Sequence, residues 1–180
     1  MPSRISFSSE VLRLDEVVLV YTDTGNSIRF YYDSPNIQRR DVKFVGYSNI
    51  EIRQERDERL RELERSAVFN LLAALEASFQ TDFLERCYQR RRDDLSRHFR
   101  EIYRANGNRI QLEECILEGW KEHVSTSKAL ISQIIGAFKY RHWLAHGRYW
   151  TPKIGQKYDY LGVYLLAQEM ETVFQEQTSP

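Results

Sequence analysis

The stretch SNIEIRQERDERLRELERSAVFNLLAALEASF, Ser48 to Phe79, decides the fold. Ser48 followed by Glu51 has capping-box spacing, in which each side chain satisfies a free amide at a helix start. Beyond it Leu60, Leu63, Ala67, Leu71, Leu75 and Phe79 recur every three or four residues. That is one apolar stripe on a long helix. The other side, RQERDERLRELER, alternates charge as a solvated face with i,i+4 pairs does.

Downstream, Gln80-Thr81-Asp82 predicts an interruption, with a second helix from Phe83 to about Ala105 that stops at ANGN, residues 105–108. QLEECILEGWKEHV, residues 111–124, predicts a shorter third helix interrupted by Gly119. Ser125-Thr126-Ser127 supplies cap side chains for a fourth, with Leu130, Ile134, Ile135 and Phe138 on its apolar face. Gly147, Pro152 and Gly155 end it, and YDYLGVYLLAQEMETVFQ, residues 158–175, reads as a fifth, mostly buried helix.

Upstream the pattern changes. DEVVLVYTDTGNSIRFYYD, Asp15 to Asp33, sets two β-branched and aromatic runs either side of TDTGNS, a hairpin-like turn. VKFVGY, residues 42–47, suits a third strand. The expected fold is therefore mostly α: an antiparallel bundle of about five helices over residues 48–180. A small β-hairpin or three-stranded β element over residues 1–47 precedes it.

The chain has 180 residues, 42% hydrophobic and 29% charged, which suits one globular domain with a small appendage. Lys and Arg balance Asp and Glu at 26 each, so no global field draws it to nucleic acid or an anionic membrane. Nucleic acid would need a local patch. Cys87 and Cys115 lack CxxC spacing, which argues against a disulfide framework or zinc cluster and for a reducing, cytoplasmic setting. The apolar run VVLVY, Val17 to Tyr21, is too short for a signal peptide or membrane span, and no membrane partner is expected.

Candidate chemistry gathers in YRHWLAHGRYW, Tyr140 to Trp150. His142 and His146 share a helix face and could both meet one metal, but no HExxH pattern or third ligand accompanies them. No metal or other cofactor is expected. Neither Ser132 nor Cys115 has the context of an acyl-transfer nucleophile. Arg90, Arg97 and Arg104, spaced by seven with Arg86 and Arg100 adjacent, would share a face of the second helix. They suit a phosphate-binding stripe or, with Asp93, Asp94 and Glu101 interspersed, a plain solvated face. The strip itself also has a structural reading: Trp143 and Leu144 as core, Arg141 on the last helix carbonyls, and His146 as a cap.

RHWLAH, Arg141 to His146, resembles the R-x4-6-H motif of the HEPN superfamily, helical proteins many of which are metal-independent ribonucleases. Arg141 matches the motif arginine, His142 its following polar position and His146 the histidine. The strip also lies late in the expected bundle, with one apolar helix after it, as in that family. His142 stands where Asn is frequent, and the segment before Ser48 is outside the family's common core. The resemblance implies a homodimer whose active site lies in the cleft between protomers. Arg141 would bind and stabilise the phosphate, His146 would act as general acid or base and His142 would assist. Arg90, Arg97, Arg104 and Arg148 would then contact RNA. It further implies a toxin or defence-type endoribonuclease restrained by an antitoxin, or else a non-catalytic HEPN-like dimer binding nucleic acid, nucleotide or protein. Some HEPN proteins carry R-x4-H-x-Y, whose tyrosine a partner nucleotidyltransferase adenylylates; here Arg148 holds that position and Tyr149 follows it.

The residue types suit RNA cleavage. Histidine, with an ordinary pKa of about 6.5, can take or give a proton near neutrality. Arginine can hold two phosphate oxygens and the charge that develops on them. Residues five apart on an ideal helix point about 140° away from each other. Arg141 and His146 therefore meet over one phosphate only if the helix ends nearby or two chains contribute.

Overall fold

The computed structural model describes residues 4–35, 37–107 and 109–177. Its regular elements are all helical: α1 (Leu14–Tyr32), α2 (Ile37–Arg40), a 3-10 turn (Val42–Phe44), α3 (Asn49–Gln89) and α4 (Asp94–Asn106). A π-helical segment (Leu112–Leu117) leads into α5 (Glu118–His123). A second 3-10 turn (Ser125–Ser127), α6 (Lys128–Ala145) and α7 (Tyr160–Glu176) follow. Among the described residues no helix is long and apolar enough to cross a membrane.

α3 is the spine. Its 41 residues extend roughly 60 Å at 1.5 Å per residue, and α1, α4, α6 and α7 all pack on it. The expected capping box forms: the Glu51 amide donates to Ser48 Oγ (3.3 Å) and the Ser48 amide to Glu51 Oε2 (2.7 Å). Phe79, Phe83, Phe99, Trp120, Ile131, Val163 and Met170 form the centre of the core, each at most 1% exposed. A smaller cluster of Tyr32, Ile37, Phe44 and Ile52 closes the N-terminal end of α3.

The β element expected in residues 1–47 is absent among the described residues. Asp15–Asp33 is helix α1 with its final residue as cap, and VKFVGY begins as a 3-10 turn. Leu14, Val17, Gly25 and Tyr32 are buried and Tyr21 and Ile28 pack against the core, a spacing of three or four that only a helix gives. Packing on α3 outweighs the strand preference of Val17, Val18 and Val20, which amounts to tenths of a kcal/mol per residue.

The interruption expected at Gln80–Asp82 is also absent. Asp82 is buried and ion-paired to Arg86 one turn on, with Phe79 and Phe83 either side in the core, so α3 runs on to Gln89. It stops at Arg90, whose φ of 54° is left-handed. The stop after α4 is at Gly107, as the sequence suggests; Asn108 lies outside the described residues.

Candidate functional site

The strip Tyr140–Trp150 closes α6 and turns back along α3. His146 caps α6, and Gly147 (φ 73°) and Arg148 (φ 61°) then reverse the chain in the left-handed region, where glycine costs least. Two bonds secure the reversal: the Arg148 amide donates to the Trp143 carbonyl (3.2 Å), and Trp143 Nε1 donates to the Trp150 carbonyl (2.6 Å). Tyr140 stacks between Trp143 and Tyr158, with centroids 5.4 and 5.9 Å away.

The last turn of α6 brings the two histidines together, and the His146 amide donates to the His142 carbonyl (3.1 Å). Their ring centroids are 4.2 Å apart, and Trp150 lies 6.1 Å from His142 and 6.4 Å from His146. Both imidazoles are exposed. His142 opens on a cleft of about 360 Å³ lined by Lys139, Trp143, Trp150, Lys153 and Glu113. Two ammonium groups and two indoles beside an imidazole suit a phosphate and a stacked base.

Arg141 points elsewhere, as helix geometry requires of a residue five before His146. Its Nη2 is 2.8 Å from Glu76 Oε2, and its guanidinium lies 5.4 Å from the Phe69 ring centroid, both on α3. Its Nε is buried and meets no hydrogen-bond acceptor. Within one chain, then, Arg141 and His146 serve different surroundings. Arg148 is committed as well: its Nη1 donates to both Glu62 oxygens at 2.9 Å, and this bond holds the Glu62 carboxyl below its usual range.

The four RNA-contact candidates do not share one face. Arg90 ends α3, Arg97 and Arg104 lie on α4, and Arg148 lies beyond α6. Arg97 pairs with Asp94 at 3.4 Å. Arg86 is fully buried, with Nε between both Asp82 oxygens (2.8 and 2.9 Å) and its guanidinium 5.0 Å from the Trp120 ring centroid. It is structural. Arg90 and Arg104, by contrast, meet Arg4 and Arg100 around a cleft of about 320 Å³, walled by Tyr88, Tyr103 and Cys87. None of the described residues lining it is acidic. Arg4 lies over Tyr88 at 5.1 Å, and Arg100 Nη1 donates to the Arg91 carbonyl at 2.6 Å. Burial pushes the Cys87 thiol up to about 12, so its sulfur stays a neutral thiol. Tyr103 is also pushed up to about 12, first by burial and then by its hydrogen bond with Tyr88.

Glu76, Glu62 and Arg4 were not anticipated from the sequence. Glu76 carried a signal, being the lone charge between Val68 and Phe79 on a mostly apolar stretch of helix. Comparison of the chain with family models, curated proteins and solved structures gives no match.

Proposed function

We propose that the chain is a HEPN-type, metal-independent endoribonuclease that acts as a homodimer, with Arg141, His142 and His146 as its working groups. The observation that carries this reading is the His142–His146 pair, 4.2 Å between centroids, beside a cleft with Lys139, Lys153 and Trp150. One imidazole takes the proton of a ribose 2′-hydroxyl, whose oxygen then bonds to phosphorus. The P–O5′ bond breaks, and an imidazolium gives its proton to the departing 5′-oxygen. The products are a 2′,3′-cyclic phosphate and a 5′-hydroxyl. Arginine stabilises the charge on the phosphorane. The resemblance extends the proposal to a toxin or defence-type enzyme held in check by an antitoxin, or modified by a nucleotidyltransferase.

The test is incubation of the purified protein with single-stranded RNA in EDTA. Cleavage to a 2′,3′-cyclic end is expected, and a substrate with 2′-deoxyribose at the scissile position should stay intact. His146→Ala should slow the reaction by about 10² to 10⁴-fold, the usual worth of general acid–base catalysis. His142→Asn should retain a large part of the rate. Equal cutting of the deoxy substrate overturns the mechanism.

The Arg141–Glu76 pairing favours a second reading, a non-catalytic HEPN-like dimer that binds nucleic acid, nucleotide or protein. It expects wild-type protein to bind RNA and leave it whole.

A further inference from the structure

Where α4 meets α5, the α5 backbone at Gly119 lies directly against side chains of α4. A methyl group at Gly119 would lie 2.6 Å from Phe99 Cε1 and 3.2 Å from His98 Cδ2. Real carbon contacts are longer, so glycine is what lets α5 settle on this face of α4. Phe99 and Trp120, both 0% exposed, anchor the two helices from below. Above them the half-buried His98 ring is therefore fixed against the α5 backbone.

The end of α5 meets that ring. His123, the last residue of α5, has its ring centroid 4.6 Å from that of His98. Glu122 precedes it, and one donor atom from each of His98, Glu122 and His123 lies within 4.8 Å of the other two. The neighbouring acid of α5, Glu118, is engaged by Lys121 at 3.5 Å. Two imidazole nitrogens and a carboxylate oxygen form a borderline donor set that suits zinc, cobalt or nickel rather than magnesium or calcium. A tetrahedral zinc shell needs donors about 3.3 Å apart. Glu122 and His123 are exposed and free to rotate inward onto the fixed His98.

We infer that His98, Glu122 and His123 form a binding site for a divalent transition metal of the zinc class, bridging α4 and α5. Three protein ligands leave the fourth tetrahedral position to water or an outside ligand. The site is separate from the strip and independent of the ribonuclease reading. Metal binding can be measured whether or not the protein cuts RNA.

The experiment uses the full chain, stripped with EDTA and dialysed, titrated with Zn²⁺ by calorimetry and with Co²⁺ by visible absorption. One equivalent is expected, with an intense tetrahedral cobalt band. His98→Ala and His123→Ala should each weaken binding by about tenfold or more, and Glu122→Gln should weaken it and shift the cobalt spectrum. Circular dichroism checks folding. Should His98→Ala unfold, the exposed His123→Ala variant decides. His142→Ala should bind as the wild type does. Absence of binding overturns the inference. So does binding that survives His98→Ala and His123→Ala, or that is lost in His142→Ala.

Discussion

Arg141 Nη2 lies 2.8 Å from Glu76 Oε2, so the side chain expected to grip a phosphate is already held by a carboxylate. Both partners are 30% exposed, and such a half-solvated pair is worth about 0.2–1 kcal/mol. Phosphate can compete with Glu76 at that cost. Glu76→Gln should therefore tighten binding of single-stranded RNA by up to about fivefold, measured by fluorescence anisotropy, while Arg141→Ala weakens it. Unchanged affinity in both variants would make Arg141 a packing residue that ties α6 to α3.

The arginine cleft predicts a different response. Arg90 lies 14 residues beyond Glu76 along α3, about 20 Å at 1.5 Å per residue, a distance that one RNA strand can span. Arg104→Ala and Arg90→Ala should weaken RNA binding and lower the slope of log affinity against log salt by about one phosphate each. Arg97→Ala should do little, because Arg97 lies outside the cleft and pairs with Asp94. Anisotropy titrations over a salt series check this, and equal effects from all three would dissolve the distinction between cleft and surface.

The ion pairs of Arg86 with Asp82 and Asp93 at the α3–α4 junction tie stability to pH. Arg86 holds Asp82 and reaches Asp93, whose carboxylate caps α4 by accepting from the Ser96 amide and hydroxyl at 2.9 and 2.7 Å. Arg86→Ala would strand Asp82 in the core, and a loss of about 3–5 kcal/mol is expected in denaturant unfolding. Burial pushes the Asp93 carboxyl up, but the Ser96 hydrogen bonds and the Arg86 charge outweigh it and hold it below the usual range. A depressed folded value means that Asp93 contributes stability above its unfolded pKa of about 3.9, and that this is lost as pH falls through the folded value. Asp82, pushed up by burial, acts with the opposite sign. Asp93→Asn should thus lower the thermal midpoint at pH 7 and flatten its decline below about pH 4. An unchanged acid limb would assign that decline to other carboxylates.

Much of this architecture is legible before folding, and the exceptions share a cause. Ser48 and Glu51 signal α3 because a capping box is local, and α6 and α7 follow from their apolar spacing. The sequence of α1 imitates a hairpin because TDTGNS has turn composition and its valines favour strands. Its burial at Leu14, Val17, Gly25 and Tyr32 depends on α3, far along the chain. Gln80-Thr81-Asp82 reads as a break because its polar residues interrupt the apolar stripe, whereas Asp82 is buried with its partner Arg86 one turn on. At the strip, His142 beside His146 follows from i,i+4 spacing, whereas the hold of Glu76 on Arg141 spans 65 residues and leaves no local pattern. His98 and His123 are 25 apart and match no ligand spacing.

Whether the site is shared between chains can be decided by mixing. Arg141 faces α3 while His146 turns with Gly147 toward Trp150, so one chain does not present both to one phosphate. A two-fold dimer brings a second set, and Arg141 of one protomer can then serve His146 of its partner. Homodimers of Arg141→Ala, and those of His146→Ala, contain only defective sites. Unfolding the two together and refolding the mixture should yield heterodimers. With the residues paired in trans, one heterodimer site receives both wild-type groups and the other receives neither. Part of the RNA cleavage should therefore return, toward half the wild-type rate per heterodimer. With the residues paired in cis, every site still lacks one group and mixing restores nothing. Native mass spectrometry establishes that heterodimers are present. Heterodimers that form and stay inactive would refute trans pairing, and a monomer that cuts RNA at the full rate would remove the shared site altogether.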